Sequence, residues 1–140
     1  MSGSALWVTQ EAVYSKLTND ATLQTLLGGS VGASSRVFDA VPPNQEYPFL
    51  VIGSMSETPA DTIAKSIKRV TAVLLTFSRY QGAKEIAQAM DRAAVLLDGV
   101  ALTITGYEHI RTVHTRTLAT RDDGVTRRGE QDFDIFVKQV

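Results

Sequence analysis

The hydrophobic pattern changes its period within residues 69–97, and the rest of the chain is arranged around that change. Residues 69–80 are rich in β-branched and aromatic types, which predicts a strand buried on both faces. Beyond Gln81 and Gly82, apolar residues recur every three or four positions, which predicts a helix over residues 83–97. Gly99 is placed to supply the left-handed cap that ends it. The sequence therefore predicts a strand followed by the helix that covers it.

The N-terminal part of the chain carries a second helical pattern and two strand patterns. Residues 4–17 predict an amphipathic helix with Ser4 as N-cap. Its broad apolar face comprises Leu6, Val13 and Leu17 with Trp7, Ala12 and Tyr14. Residues 21–27 predict a short helix that ends at Gly28, and residues 36–40 predict a short strand. The continuous apolar run in residues 48–56 is typical of a buried strand.

The C-terminal part of the chain predicts a long β-hairpin. Residues 101–119 form a strand pattern bent at Gly106, and the Asp-Gly pair in residues 121–124 favours a tight turn. In residues 125–140, Phe133, Ile135 and Val137 alternate with polar residues, as in a strand with one solvated face. The sum is one α+β domain over residues 1–140, with a mostly antiparallel sheet packed against two main helices.

The segment 57–68 joins two strands but is longer than a hairpin turn requires. A short helix beginning near Pro59 is one interpretation, and a long β-hairpin arm is the one we favour. Asp61, Lys65 and Lys68 are polar, whereas Ile63 and Ile67 are apolar at a four-residue step. We predict that the arm is mobile in the free protein and becomes ordered against a neighbouring subunit or another partner.

The expected core joins the central strand and helix to the last hairpin. We predict that five residues are buried together: Leu75, Phe77, Met90, Leu97 and Phe133.

Composition excludes several kinds of chemistry. The chain has no cysteine, which excludes disulfides, thiolate metal sites and a cysteine nucleophile. Its net charge of −1 implies no strongly basic or acidic partner. No apolar run reaches the roughly 20 residues that span a bilayer, and the N-terminus lacks a signal-peptide pattern. We therefore expect a soluble protein made in the cytoplasm.

Candidate catalytic residues are few. His109 and His114 have an odd spacing, which places them on opposite faces of a strand unless a bulge intervenes, so a shared metal is not expected. The glycines at 28–32 follow a helix, unlike a phosphate-binding loop, and no serine-elbow motif is present. We expect no enzyme activity, no metal and no cofactor.

Charges of both signs crowd the last hairpin instead. Such mixing on paired strands is more typical of cross-strand pairs or of a subunit contact than of a catalytic dyad. The charged residues concerned are Arg111, Arg116, Arg121, Asp122, Asp123, Arg127, Arg128, Glu130, Asp132 and Asp134.

The order of these features resembles a known family. An N-terminal helix leads to "RVFDAVPP" and "YPFLVIG"; a polar arm precedes "VLLTFSRYQGAKEIAQAMDRAAVLLDG", and the chain closes with a hairpin ending in "DFDIFV". This arrangement resembles the tail-completion or tail-terminator proteins of long-tailed bacteriophages and of gene transfer agents. The resemblance covers nearly the whole chain and includes no catalytic signature.

The resemblance implies a structural virion protein at the end of the tail that faces the head. It implies a ring, usually a hexamer, that caps the tail-tube protein, ends tail elongation and presents a surface to the head-side connector. DNA would pass through the bore without sequence-specific binding. The mobile arm would become ordered against a neighbouring subunit or the tail tube. A head-side connector of the same particle and a small-molecule binding module are the alternatives. The residues expected at a subunit or ring interface are Asp61, Ile63, Lys65, Ile67, Lys68, Arg121, Asp122, Asp123, Arg127 and Arg128.

Overall fold

The described residues form eight secondary-structure elements. The computed structural model describes residues 4–32, 34–60, 67–80, 82–121 and 124–139. The elements are α1 (Leu6–Thr18), α2 (Ala21–Leu27), β1 (Val37–Phe38), β2 (Phe49–Pro59), β3 (Ile67–Ser78), α3 (Lys84–Leu97), β4 (Tyr107–Arg121) and β5 (Arg127–Gln139).

The strands form a five-stranded sheet in the order β1-β2-β3-β5-β4. β1 pairs with β2 in parallel, and the β2–β3, β3–β5 and β5–β4 pairs are antiparallel. The predicted α+β fold with a mostly antiparallel sheet is confirmed. α2 adds one short helix to the two main helices, and Gly28 ends it in the left-handed conformation with a φ of 79°.

The helices pack against one face of the sheet, and the strands alternate accordingly. On β3, Val70, Ala72 and Leu74 are fully buried toward the helices. On β5, Phe133, Ile135 and Val137 are fully buried on the same side, as the alternation in the sequence predicted. These residues form one core cluster with buried apolar residues of α1, α2 and α3, such as Leu17, Leu27 and Leu97.

The predicted core was only partly right. Met90, Leu97 and Phe133 are buried as expected. Leu75 and Phe77 alternate with the core positions of β3, so they lie on the opposite face and are only half-buried. The run of β3 has apolar residues in both alternate sets, so it does not reveal which set faces the helices, and the prediction chose the wrong set. The prediction that this strand is buried on both faces is also wrong, because the helices cover only one face of the sheet.

α1 begins and packs differently from the prediction. Ala5 occupies the N-cap position and its side chain makes no capping bond. Instead, the Ala5 N–H donates to Glu57 Oε1 at 2.6 Å, so a carboxylate from β2 satisfies the positive end of the helix. Trp7 and Tyr14 do not join the apolar face, because Thr9, Val13 and Leu17 are the residues that α1 buries.

The chain between α3 and β4 is a turn and not a strand. Gly99 adopts a φ of 71°, as predicted for the end of α3. Residues 101–103 form no ladder, and Ile104 pairs only with Tyr107 across a turn in which Gly106 has a φ of 82°. Gly106 therefore reverses the chain before β4 begins, whereas the prediction placed it within a bent strand.

The arm is partly a regular hairpin. β2 and β3 pair as far as Pro59 and Lys68, and the Ala60 N–H donates to the Ile67 carbonyl at 2.8 Å. Ile67 also lies opposite Lys138 of β5, and Lys68 Nζ lies 3.7 Å from Glu57 Oε2. Ile67 and Lys68 are thus strand residues with partners in their own chain, contrary to the prediction that the whole arm is mobile. Residues 61–66 lie outside the described residues.

An ion pair joins α2 to α3. Arg92 Nε and Nη2 donate to the two carboxylate oxygens of Asp20 at 2.9 and 2.8 Å. Asp20 also caps α2, since its Oδ2 accepts from the Leu23 N–H at 2.8 Å. The hydrogen bonds from Arg92 hold the pKa of Asp20 below its ordinary value of 3.8.

This pair predicts a defined pH dependence. A carboxylate with a lowered pKa in the folded state stabilises the fold above its ordinary pKa of 3.8, and that stability is lost as the pH falls through the folded value. Asp20→Asn keeps a capping side chain but loses the charge. We expect a lower melting temperature for Asp20→Asn at neutral pH and a narrowing difference from wild type below about pH 4. A difference that stays constant down to about pH 2 would contradict the assignment.

Candidate assembly surfaces

The sheet face opposite the helices is open and carries apolar side chains. Val51, Val73, Leu75, Phe77 and Phe136 lie on this face and are half-buried. Among the described residues, the helices pack on the opposite face, over the core cluster that includes Val70, Leu74 and Ile135. We call this surface, made by the outward residues of β2, β3, β5 and β4, the open sheet face. Apolar side chains spread over neighbouring strands are typical of a surface that contacts another protein.

Charged residues occupy the β5–β4 side of the open sheet face. Arg116 Nη1 lies 3.5 Å from Glu130 Oε2 and 3.8 Å from Asp132 Oδ2. Thr71 Oγ1 donates to Asp134 Oδ1 at 2.8 Å. The second oxygen of Asp132, Oδ1, is buried and has no hydrogen-bond partner within the described part of the chain. The acids that the sequence placed on a solvated strand face are therefore mostly engaged in cross-strand contacts.

Aromatic rings close the end of the open sheet face where β2 begins. Phe49 stacks on Phe77 with ring centroids 5.2 Å apart and also contacts Tyr47 at 5.1 Å. The guanidinium of Arg79 lies 4.3 Å from the centre of the Tyr47 ring. These contacts fix the loop before β2 against the sheet and hold Arg79 at the end of β3.

The tip of the β4–β5 hairpin concentrates positive charge. Arg121 and Arg127 lie directly opposite each other in the ladder, an arrangement that destabilises an isolated hairpin. Arg79 Nε donates to Thr126 Oγ1 at 3.1 Å, which brings a third guanidinium to the same place. We call Arg79, Arg121 and Arg127 the basic tip. Like charges held together in this way favour an anionic partner.

The structure locates only part of the predicted interface set. Arg121, Arg127 and Arg128 lie together at the hairpin tip, and Ile67 and Lys68 lie in β3. Arg121 pairs with Arg127, and Ile67 is on the far part of the same sheet, opposite Lys138. The hairpin tip and the arm are therefore separate surfaces at opposite ends of the strands. Asp61, Ile63, Lys65, Asp122 and Asp123 lie outside the described residues.

The two histidines lie on the same face of the sheet, contrary to the prediction. A register shift between His109 and Arg111 moves the strand by one residue, so His109 opposes Val137 and His114 opposes Phe133. Because of this bulge, the odd sequence spacing of the two histidines no longer places their side chains on opposite faces. The two partners are four positions apart on β5, roughly 13 Å along the strand.

Each histidine is engaged locally. His109 Nε2 lies 2.7 Å from Thr112 Oγ1, and burial lowers the pKa of this histidine below its ordinary value. His114 stacks on Phe133 and its Nε2 lies 2.6 Å from Thr117 Oγ1. The separation of the two rings gives them no common ligand position. Over the described ranges, no group of three or more potential metal ligands occurs, and no described helix is both long and apolar enough to cross a membrane.

Comparison with protein families identifies the chain. The family model described as tail completion protein gp17 matches residues 11–138, from within α1 to near the end of β5. The chain belongs to the tail completion protein gp17 family. Membership makes it a structural protein of the phage tail and a component of the virion. The predicted resemblance is thereby confirmed.

The fold of this family member also matches a chain from a solved particle. That structure, the virion of a native gene transfer agent particle, superposes with a TM-score of 0.80 at 24% sequence identity. The match covers 92% of this chain and 93% of the other. Among curated proteins, no relative matches the chain.

Sequence reasoning found the hairpin tip but missed the open sheet face. The signal for it was present in β3, where both sets of alternate residues are apolar. Such a run in a sheet with helices on one side implies that the second apolar set needs another cover.

Proposed function

We propose that this chain forms a ring on the end of the tail tube, ends tail elongation and provides the tail-side surface for head attachment. The ring is a homo-oligomer, most simply a hexamer. Its partners are the tail-tube protein on one side and the head-side connector on the other. DNA passes through the bore without sequence-specific binding. Family membership supports the place in the tail.

The observation that carries the proposal is the open sheet face. Leu75 and Phe77 lie on its central strand, β3, and remain half-buried although the described part of the chain has three helices available to cover them. The nearby Asp132 Oδ1 is buried and lacks a donor within the described part of the chain. A face with apolar side chains and an unpaired carboxylate oxygen suits contact with a second protein better than contact with water.

The residues predicted from the sequence serve as secondary contacts in this proposal. The hairpin tip and the arm lie at opposite ends of the sheet, so one can face the neighbouring subunit and the other the adjacent ring. The set remains Asp61, Ile63, Lys65, Ile67, Lys68, Arg121, Asp122, Asp123, Arg127 and Arg128.

Particles made without the protein test the proposed function. We expect tails of irregular, increased length and unattached heads, measured by electron microscopy, because nothing stops tube growth or joins the head. Complementation with the wild-type chain should restore tails of uniform length. Tails of normal length and normal attachment in the absence of the protein would contradict the proposal.

A substitution on the open sheet face tests the surface itself. Leu75→Lys should leave a folded protein, because the side chain points away from the core, but it should abolish complementation, because burying an unpaired ammonium in a contact is costly. Val95→Lys is the matched control, since Val95 is 61% exposed on α3. Circular dichroism checks that both variants fold. Full complementation by folded Leu75→Lys would show that this face contacts nothing.

A further inference from the structure

An acidic, aromatic groove lies at the β1 edge of the molecule. It runs between α1 and β1, has a volume of about 420 Å³ and is lined by Trp7, Tyr14 and Phe38. Trp7 is the only tryptophan of the chain and is 62% exposed. An exposed tryptophan beside a groove is typical of the residues that dominate binding energy in protein interfaces.

The groove carries negative charge only. Glu11 and Asp39 line it together with Gln10, whose Nε2 donates to Asp39 Oδ1 at 2.6 Å. Its lining contains no lysine or arginine. The groove therefore favours a partner that brings both an apolar group and positive charge.

The basic tip has the opposite character. A cavity of about 380 Å³ is lined there by Arg79, Arg121 and Arg127 with Tyr80 and Val125, and no acid is among the described residues that line it. Tyr80 is 51% and Val125 61% exposed. Even with Asp122 and Asp123 counted, the tip sequence keeps an excess of positive charge, because the three arginines of the basic tip outnumber these two acids.

The two surfaces lie at the same level on opposite edges of the sheet. One row of paired residues crosses the sheet from Val37 of β1 to Ala119 of β4. The residues between them in this row are Leu50, Thr76 and Gly129. Ala119 precedes the basic tip by two residues. Four strand spacings, roughly 19 Å, separate the edges. A copy placed beside the molecule, edge to edge, would bring its tip to the groove without a shift along the strands.

We propose that the groove of one protomer binds the basic tip of the next copy of the same chain. The contact is head-to-tail, since the two surfaces differ, and head-to-tail contacts close into rings when the rotation per subunit allows. This inference rests on the proposed ring function and names the surfaces that build the ring. Trp7 and Tyr14 pack on the apolar part of the tip, and Glu11 and Asp39 pair with its guanidinium groups.

Charge reversal provides a self-checking test. The groove variant Glu11→Arg/Asp39→Arg has two basic surfaces, and the tip variant Arg121→Glu/Arg127→Glu has two acidic ones. For each variant alone, the affinity of self-association should fall at least about tenfold, because like charges face each other. A 1:1 mixture should recover it, since every groove then meets a tip of opposite charge. Asp91→Arg/Glu108→Arg reverses equal charge on exposed positions elsewhere and should assemble like wild type.

Sedimentation velocity measures these outcomes, on purified tail tubes if the free chain is monomeric. In the mixture, the emission of the sole tryptophan should shift to shorter wavelength as Trp7 becomes buried. Wild-type association by either reversed variant alone would overturn the proposal. Failure of the mixture to associate, with both components folded, would also overturn it.

Cross-linking separates this inference from the proposed function. The chain has no cysteine, so Ala40→Cys/Val125→Cys places one thiol beside the groove and one at the tip. A short bismaleimide should join successive protomers in purified particles into a ladder, whereas each single-cysteine variant should give no ladder. Particles of normal tail length that give no ladder would overturn the interface and leave the ring function intact. Failure of the proposed ring function would instead appear as tails of normal length in particles that lack the protein.

Discussion

Replacing Phe133 by alanine is expected to cost about 3–5 kcal/mol of unfolding free energy. Phe133 is fully buried on β5, the strand between β3 and β4, and its ring stacks on His114 with centroids 4.9 Å apart. Ala72 lies opposite it on β3 and is too small to fill the space that the ring would leave. Urea unfolding followed by circular dichroism measures the loss.

Phe136→Ala is the matched control for this prediction. Phe136 is the same residue type on the same strand, but it lies on the open sheet face, where it is half-buried beside Arg111. We expect a clearly smaller loss of unfolding free energy than for Phe133→Ala. An equal or larger loss for Phe136→Ala would contradict the assignment of Phe133 to the helix-covered face and of Phe136 to the open sheet face.

Replacing Gln24 by methionine is expected to cost roughly 2–5 kcal/mol although the side-chain volume is nearly kept. Gln24 is buried, and its amide holds the connection between α2 and β1. Nε2 donates to the Thr18 carbonyl at 3.1 Å and to Ser35 Oγ at 2.7 Å, and Oε1 accepts from the Arg36 N–H at 2.9 Å. Methionine would leave these groups unpaired, at about 1–3 kcal/mol for each one that water cannot reach.

The matching surface substitution is Gln88→Met on α3. Gln88 is exposed, so this change should alter the unfolding free energy by less than about 0.5 kcal/mol. Thermal unfolding of both variants makes the comparison. A similar small effect at Gln24 would show that the loop between α2 and β1 does not depend on its amide.

Elements with a strong local signal were predicted well. The change of period near residue 82 gave α3 within one residue of its observed start, and Gly28 and Gly99 ended α2 and α3 in the left-handed conformation. The alternation of β5 gave its buried face correctly. In each case the side chains of neighbouring residues carry the information, so one sequence suffices.

Failures arose where two local patterns were equivalent. The sequence could not show which alternate residues of β3 face the core, because both alternate sets contain apolar residues. The choice depends on where the helices pack in the tertiary structure. Trp7 and Tyr14 extend the apolar stripe that Val13 and Leu17 form, yet α1 buries Val13 and Leu17 with Thr9 and leaves both aromatic residues exposed. The bulge at Ile110, which reverses the relation of the two histidines, has no sequence signal of comparable strength.

The sequence by itself determined the α+β class, the order of helices and strands, the charged hairpin and the resemblance to the tail completion family. These depend on residue types and short periods, which persist whatever the chain packs against. Only the tertiary structure decided which face of the sheet is open and which residues share an edge. It placed Glu57 on the end of α1 and aligned Val37 with Ala119 across four strand pairings. Such relations join residues far apart in the chain through strand register and helix placement, and no local pattern encodes them.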